Sequence, residues 1–285
     1  MAEASALLNA HNRFVQRFAL SLARAACQLP LPDIGRPVAA MGLSFSSAIG
    51  IAAGFDRHGR LGRQASTLGL GFNEIGSLTR TDLARLAVSQ QGNARLGLNL
   101  TLDASCSVDE HCAMLASAWP QADYLVLNLI GPACAPLLQE QPRLQTTLAT
   151  LRQHQMHLDQ AGGRHVPLVA KVRCLPGLVP LPLAQTLLEL QFDGLLVAHD
   201  PGPPATRERY LAWQDERAQA QACEQIEQLH RLCGHELTLL SVGGIQTAEH
   251  ARERLQAGAR LVQLYAALQH RGPLAMRALI KSIDR

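Results

Sequence analysis

The chain has 285 residues and a formal net charge of +3, with 47% hydrophobic and 17% charged residues. This length and apolar content suit one large α/β domain with a sizeable core. The small net charge argues against a nucleic-acid partner and against a polybasic membrane surface, and no apolar run reaches the ~18 residues of a spanning helix.

The cysteines and the first residues bear on the cellular compartment. The seven cysteines are odd in number and include no CxxC pair, which indicates reduced thiols in a cytoplasmic protein rather than a disulfide framework. The start of the chain lacks the basic region and the unbroken apolar stretch of a secretory signal. We therefore predict a cytoplasmic location.

A helix is predicted over residues 5–28, because apolar residues recur there at helical spacing and Pro30 follows. Two placements are open: the helix packs under the main domain, or it lies in a membrane interface. Its basic residues are few, so we expect no firm membrane anchor. We assign residues 1–36 to an N-terminal helical extension and residues 37–285 to the main domain.

The rest of the sequence alternates between short apolar runs and helix-like stretches. Most of the apolar runs are continuous, as expected for parallel strands that are covered on both faces. Eight such strands with helical crossovers predict a closed (β/α)8 TIM barrel, and a doubly wound open sheet is the alternative. The predicted strands cover residues 48–54, 70–76, 95–100, 123–129, 166–172, 193–198, 237–242 and 260–265.

Helices are predicted between these strands over residues 183–191, 217–233 and 247–257. The third is the clearest, because Thr247 can cap its first turn and Gly258 follows its end. No internal repeat and no low-complexity linker interrupts the pattern, which favours one continuous barrel.

Ligands of such barrels sit at the carboxyl ends of the strands. The longest irregular segment, 199–216, follows the sixth predicted strand and is a candidate lid or substrate wall. The first predicted strand ends in Ala52, Ala53 and Gly54, whose small size lets a flat ring lie close to the backbone. Alternatively, these residues only fill a tapering barrel.

The last two predicted strands indicate a phosphate site. The seventh runs into Gly243 and Gly244, and the eighth runs into Tyr265 and Ala266. Backbone N–H groups in a glycine turn and at a helix start bind anions, and barrels commonly bind phosphate after these two strands. We therefore predict a phosphate site between the two loops.

Three polar residues occupy otherwise apolar strands. Lys171 would be costly inside a barrel without an anionic or electron-rich partner, so we favour a ligand role over a side chain that reaches solvent. A cation beside the N1–C2=O edge of a flavin would stabilise the reduced ring. Asn99 and Asn128 end the third and fourth predicted strands, where each either bonds a heterocycle or is a satisfied core amide.

Two blocks of sequence resemble those of dihydroorotate dehydrogenases. Residues 41–59, MGLSFSSAIGIAAGFDRHG, resemble the region of the family's first strand, and residues 240–273 resemble its phosphate-binding end. RLGLNL, DYLVLNL and VPLVAKV are weaker matches in the same order. The N-terminal helix is similar to that of the membrane-associated, quinone-using class, so the resemblance covers nearly the whole chain.

The resemblance implies a flavin mononucleotide (FMN) site. Ala52, Ala53 and Gly54 would lie along the isoalloxazine, and Ser77 would take a position where the family has a threonine. The remaining implied cofactor residues are Asn99, Asn128 and Lys171 at the ring or ribityl chain, and Gly243, Gly244, Tyr265 and Ala266 at the phosphate. No metal site is implied.

The departures from the family pattern fall on the substrate side. Gly131 stands at the position of the catalytic base, and Ala133 replaces a substrate-binding asparagine. Arg57 replaces the family's orotate-contacting lysine, and His199 stands near the usual asparagine after the sixth strand. The substrate loop after the second strand is shortened to residues 78–94. Oxidation of dihydroorotate is therefore not expected, because a glycine supplies no base.

Three functions compete. The first is an FMN-dependent oxidoreductase, of the type that oxidises a CH–CH donor, acting on a different small molecule. Its substrate contacts would be Arg57, Asn128 and His199, and its acid or base would be His199 or, next, Cys134 or Cys174. The second is a catalytically inactive flavin- or ligand-binding subunit, and the third is a phosphate-binding barrel without flavin. A homodimer and a pathway partner protein both remain open.

Overall fold

The computed structural model describes residues 2–200 and 205–283, with side chains from residue 10 onwards. Its strands are β1 (Val38–Ala40), β2 (Leu43–Phe45), β3 (Ile49–Ile51), β4 (Phe72–Leu78), β5 (Arg95–Thr101), β6 (Tyr124–Asn128), β7 (Leu168–Arg173), β8 (Gly194–Ala198), β9 (Thr238–Val242) and β10 (Leu261–Leu264).

The strands β3 to β10 are parallel and close into a barrel in chain order, because β10 pairs with β3 as well as with β9. Each of the eight predicted strands overlaps one of these barrel strands. The predicted (β/α)8 barrel is therefore confirmed, and the alternative of an open doubly wound sheet is wrong.

The helices cover the outside of the barrel. They are α1 (Ala2–Ala26), α2 (Arg80–Leu83), α3 (Val108–Ala118), α4 (Ala135–Gln139), α5 (Gln141–Gly162), α6 (Leu181–Glu189), α7 (Arg207–Ala212), α8 (Glu216–Cys233), α9 (Ala248–Gln256) and α10 (Ala266–Ile283), the last kinked at Gly272. As predicted, Thr247 caps α9: its hydroxyl accepts a hydrogen bond from the His250 N–H at 3.1 Å.

Apolar side chains fill the amino-terminal half of the barrel. Side chains alternate along a strand, so every second residue points inward. The inward residues of this layer are Phe72, Tyr124, Val126, Val169, Leu196, Leu240 and Leu261. Above this layer the next inward positions of several strands are polar, and they form the floor of the site described below.

A hairpin that the sequence analysis did not predict closes the amino-terminal end of the barrel. It consists of β1 and β2, and its Phe45 packs edge-on against Phe72 with ring centroids 5.6 Å apart. Arg260, just before β10, donates a hydrogen bond from Nε to the carbonyl oxygen of Ala39 at 2.9 Å. The element under the barrel is therefore this hairpin.

The helix α1 lies beside the opposite end, so the expectation that it packs under the barrel is wrong. Gln16 Nε2 donates to the carbonyl oxygens of Gly54 and Phe55, which follow the carboxyl end of β3. Ala19 and Ala23, one turn apart, are buried in the main core, which fixes the helix along the barrel. Within the described ranges, no helix is both long enough and apolar enough to cross a membrane.

The segment 199–216 is less irregular than expected. It contains α7, whose first turn is capped by the Thr206 hydroxyl, and α8 begins at Glu216. Residues 201–204 lie outside the described part of the chain. The short helix explains how a segment rich in proline and glycine still presents ordered side chains to the barrel mouth.

Candidate functional site

A cavity of about 1520 Å³ opens at the carboxyl ends of the barrel strands. This is the end where the sequence analysis expected the ligand. The predicted site residues that line the cavity are Ala52, Ala53, Gly54, Arg57, Ser77, Asn128, Lys171, Gly243, Gly244, Tyr265 and Ala266.

The glycine turn after β9 has a backbone that other residues would not accept. Gly243 and Gly244 have φ angles of 108° and 76°, in the region that favours glycine. A Cβ on Gly244 would lie 2.1 Å from the ring of Trp213, and a Cβ on Gly243 would lie 2.8 Å from the Asp200 nitrogen. The turn is thus packed so that only backbone faces the cavity.

The start of α10 lies beside this turn, because β9 and β10 are neighbours in the barrel. The first N–H groups of a helix have no partner within the helix. Tyr265 and Ala266, at this start, line the same cavity. Burial raises the pKa of the Tyr265 hydroxyl to about 12, so it stays protonated and can donate a hydrogen bond. This corner offers donors suited to an anion.

The wall beside the glycine turn comes from the segment after β8. Asp200 accepts hydrogen bonds from Arg209 Nη2 at 2.5 Å and from Trp213 Nε1 at 2.9 Å. Arg209, Tyr210 and Trp213 all line the cavity. The sequence analysis predicted a wall here but did not identify these side chains, since nothing in the segment's composition shows which residues turn inward.

The floor of the cavity contains a buried carboxylate that the sequence analysis missed. Glu74 is fully buried, and its Oε1 lies 3.5 Å from Lys171 Nζ. Asn99 Nδ2 donates to Glu74 Oε1 at 2.8 Å, and Gln263 Nε2 donates to Oε2. A charged residue within the apolar run FNEIGSL was the available signal, because a buried strand seldom carries an unpaired charge.

Asn99 differs from the other predicted cofactor residues. Its side chain is fully buried against Glu74, and it does not line the cavity. Of the two interpretations left open for it, the amide within the core describes its position better. Its Oδ1 has no hydrogen-bond partner among the described residues.

Asn128 connects two strands at the cavity wall. Its Nδ2 donates to Ser77 Oγ at 2.6 Å, and its Oδ1 accepts from the Ile130 N–H at 3.0 Å. These two contacts fix the amide, so its orientation is set before any ligand arrives. Ser77, at the end of β4, is half-buried, and its hydroxyl remains available as a second hydrogen-bonding group.

His199 is a correction to the sequence analysis. Its imidazole does not line the cavity, and its Nδ1 lies 2.9 Å from Gln225 Oε1 of α8. Burial, with a contribution from the nearby Arg254 cation, lowers the pKa of His199 to about 3. The ring is neutral and points away from the barrel axis, so His199 is withdrawn as a catalytic and as a substrate-contacting residue.

The two candidate thiols also do not reach the site. Cys134 and Cys174 are buried in the main core, and neither lines the cavity. Burial raises the pKa of the Cys134 thiol to about 11 and that of the Cys174 thiol to about 12. Both therefore stay protonated and unreactive, and both are withdrawn as catalytic candidates.

Many cationic side chains line the cavity. Gly131 lines the cavity with an extended backbone (φ −72°, ψ 153°), whereas Ala133 does not line it. The basic side chains that line the cavity are Arg13, Arg17, Arg57, Arg60, Lys171, Arg173 and Arg209. Asp200 is the only acidic lining residue in the described ranges. The mouth is thus strongly positive, although the chain is nearly neutral.

Comparisons with known proteins agree with this architecture. The sequence model of the dihydroorotate dehydrogenase family matches residues 216–285. Dihydroorotate dehydrogenase (quinone) of Chromobacterium violaceum is 30% identical over 85% of this chain and 83% of its own length. The protein of the same description from Alkalilimnicola ehrlichii is 28% identical over 93% of this chain and 90% of its own.

The fold matches that of DHODH from Eimeria tenella, solved in complex with ferulenol. The TM-score is 0.74 with 21% sequence identity, over 95% of this chain and 90% of that one. At 21% sequence identity, this similarity shows a shared fold. The identity with the Chromobacterium relative, extended over most of both chains, together with the barrel, shows that this chain belongs to the dihydroorotate dehydrogenase family.

Proposed function

We propose that this protein binds FMN in the cavity at the carboxyl ends of the strands. The observation that carries the proposal is the glycine turn of Gly243 and Gly244, which lies beside the start of α10. A Cβ at either position would collide with Asp200 or Trp213, so the turn presents backbone to the cavity. A second supporting observation is that Gln263 Oε1 is buried at the cavity with no hydrogen-bond partner among the described residues. These residues fit a phosphorylated heterocycle.

The residues would divide between the two ends of FMN. Gly243, Gly244, Tyr265 and Ala266 would hold the phosphate through backbone N–H groups and the tyrosine hydroxyl. The other candidates, at the ring and ribityl chain, are Ala52, Ala53, Gly54, Ser77, Asn128, Lys171 and Gln263. Bound FMN supplies a ring that accepts a hydride from a donor and passes the electrons to an acceptor.

The proposed activity is oxidation or reduction of a small molecule other than dihydroorotate. Gly131 offers no side chain to take a proton, and no thiol of the described residues lines the cavity. The one lining imidazole among the described residues, that of His58, is exposed. Loss of a general base typically lowers a rate by ~10²–10⁴-fold. The reaction that fits best is one in which the proton leaves to water or to the substrate itself.

The charge of the mouth favours an anionic substrate. Arg57 is about half exposed and lies 3.6 Å from Asp82, so it is only partly neutralised. Arg13 and Arg17 lie one turn apart on α1, which Gln16 fixes to the barrel. Clefts lined by charges of one sign concentrate ligands of the opposite sign. We infer that the substrate carries at least one carboxylate or phosphate.

The test is the absorption spectrum of purified protein, followed by anaerobic reduction. We expect flavin bands near ~450 nm and release of FMN on denaturation. Some donors that carry a carboxylate or a phosphate should reduce the bound flavin and bleach these bands, whereas dihydroorotate should not. Protein that is colourless and that fails to take up added FMN would overturn the proposal.

A second candidate is a catalytically inactive flavin- or ligand-binding subunit. The observation that favours it is that His199, Cys134 and Cys174 all lie outside the cavity. The two candidates are separated by the response of the bound flavin. A flavin that dithionite reduces, but that no anionic donor reduces, favours the inactive subunit.

A further inference from the structure

Four polar side chains of the barrel interior form one cluster. They are Glu74 of β4, Asn99 of β5, Lys171 of β7 and Gln263 of β10. Glu74, Lys171 and Gln263 each follow by two residues an apolar residue of the lower layer, namely Phe72, Val169 and Leu261. Because inward residues recur every second position, these three side chains point inward, and each lies one step nearer the cavity than the apolar residue of its own strand.

Glu74 is the centre of this cluster. Its two carboxylate oxygens contact all three of the other side chains: Oε1 meets Asn99 Nδ2 and Lys171 Nζ, and Oε2 meets Gln263 Nε2. Glu74 and Asn99 are fully buried, and Lys171 and Gln263 are nearly so. Buried ion pairs often contribute little to stability compared with an apolar replacement. Stability alone is therefore a weak explanation for this arrangement.

The carboxylate decides which way the two amides point. An ionised carboxylate only accepts hydrogen bonds, so both amides must turn their NH₂ groups toward Glu74 and their oxygens away from it. Asn99 Oδ1 and Gln263 Oε1 are both buried without a hydrogen-bond partner among the described residues. Gln263 lines the cavity, as does Lys171. The cavity floor thus presents a fixed acceptor and a fixed cation.

We propose that Glu74 is a positioning residue that holds the Gln263 carbonyl oxygen and the Lys171 ammonium toward the ligand, so that the site selects a heterocycle with a ring N–H. This inference rests on the proposed binding of FMN. Oxidised FMN has a single ring N–H, at N3, which is the donor that a buried acceptor requires. A buried polar group left unpaired is costly, so a ligand without this N–H binds more weakly.

The test compares FMN with N3-methyl-FMN on the flavin-free full-length protein. Dissociation constants are measured from the change in flavin fluorescence. Wild-type protein is expected to bind FMN at least about tenfold more tightly, which corresponds to about 1.4 kcal/mol. In Glu74→Gln the amides are released. We expect the ratio of the two dissociation constants, N3-methyl-FMN over FMN, to fall to about twofold or less. Gln263→Leu removes the acceptor itself and is expected to lose the ratio even if Glu74→Gln does not fold.

Asp56→Asn is the matched control. Asp56 is also fully buried and accepts from an amide, Asn73 Nδ2, but it lies outside the cavity lining. This variant is expected to lose thermal stability and to keep the wild-type ratio. If wild-type protein binds FMN and Glu74→Gln keeps the full ratio, the inference is overturned and the proposed function stands. If wild-type protein binds neither nucleotide, both are overturned.

Discussion

Lys171 Nζ lies 3.5 Å from Glu74 Oε1, so the cation on the barrel floor has an anionic partner within the protein itself. The sequence suggested that a ligand would provide this partner. Because the pair is already neutral overall, a ligand need not bring a negative charge to the floor. What the ligand meets there is the remaining hydrogen-bonding capacity of the ammonium.

Removing one member of this pair is predicted to destabilise the protein. Lys171→Met keeps much of the side-chain volume but leaves the Glu74 carboxylate buried and unpaired, which typically costs about 3–5 kcal/mol. Adding Glu74→Gln removes the charge, so the double variant should regain a large part of this loss. Urea unfolding of the flavin-free proteins measures both effects.

FMN binding should not follow the free energy of unfolding across these two variants, because both of them lack Lys171. We expect weakened FMN binding in each of them. Arg252→Met is the control: it breaks an exposed pair with Glu249 on α9 and should change stability by less than about 1 kcal/mol. If the double variant is no more stable than Lys171→Met, the two charges do not compensate each other as described.

The strands and the cavity were predictable from sequence because continuous apolar runs and strand ends are local features. The direction of single side chains was not. In GLLVA of β8 every residue is apolar, so the sequence does not show which ones face inward. Leu196 faces inward, and Ala198 lines the cavity, which leaves His199 on the outer side. In β7 the charged residue Lys171 indicated which side chains face the inside of the barrel.

The position of α1 also could not be derived from its own sequence. Its helical periodicity predicted the element, but its place depends on Gln16 meeting two carbonyl oxygens that follow β3. Such contacts join residues far apart in the chain, and no local pattern encodes them. The hairpin of β1 and β2 was missed for a related reason: each strand has three residues, which is too short for a periodic signal.

His199 is predicted to make stability depend on pH. Its pKa is about 3 in the folded protein, against ~6.5 in an unfolded chain. Between these values the unfolded chain binds a proton that the folded protein does not, so stability falls as the pH falls from about 6.5 toward 3. The slope from one such group reaches about 1.4 kcal/mol per pH unit.

Replacing the histidine should remove this dependence. His199→Gln keeps a donor for Gln225 and does not titrate, so its unfolding free energy should fall less between pH 6.5 and pH 4 than that of the wild type. Urea unfolding at several pH values measures the difference. The exposed His235→Gln serves as control and should follow the wild type. Parallel curves for all three proteins would show that His199 is accessible to protons in the fold.

The N-terminal helix is predicted to bind membranes weakly and reversibly. Phe14, Phe18 and Leu22 recur every fourth residue of α1 and are 70%, 58% and 43% exposed. Among the described side chains of α1, from residue 10 onwards, these three give a narrow apolar face, and the nearby Arg13 and Arg17 line the cavity. In flotation with anionic liposomes we expect a small bound fraction that high salt releases and that Phe14→Ser with Phe18→Ser abolishes. A salt-resistant bound fraction would mean firm anchoring.

The last prediction is that Gly131→Ser will not create dihydroorotate oxidation. The wild-type protein should form orotate far more slowly than about one turnover per second, the low end of ordinary enzymes. A serine at 131 should fold normally, because a Cβ there meets no atom within 4 Å and the backbone is extended. It would nevertheless lack the contacts that position the substrate ring: Ala133 does not reach the cavity, and the segment after β4 is short. Lost positioning alone lowers rates by orders of magnitude.

The assay supplies dihydroorotate with a quinone or with fumarate and follows orotate, with bound flavin measured in the same samples. Gly244→Ser is the contrasting variant: its Cβ would collide with Trp213, so it should lose flavin, whereas Gly131→Ser should keep it. Rapid orotate formation by Gly131→Ser would show that the substrate contacts are intact and that one missing base explains the divergence.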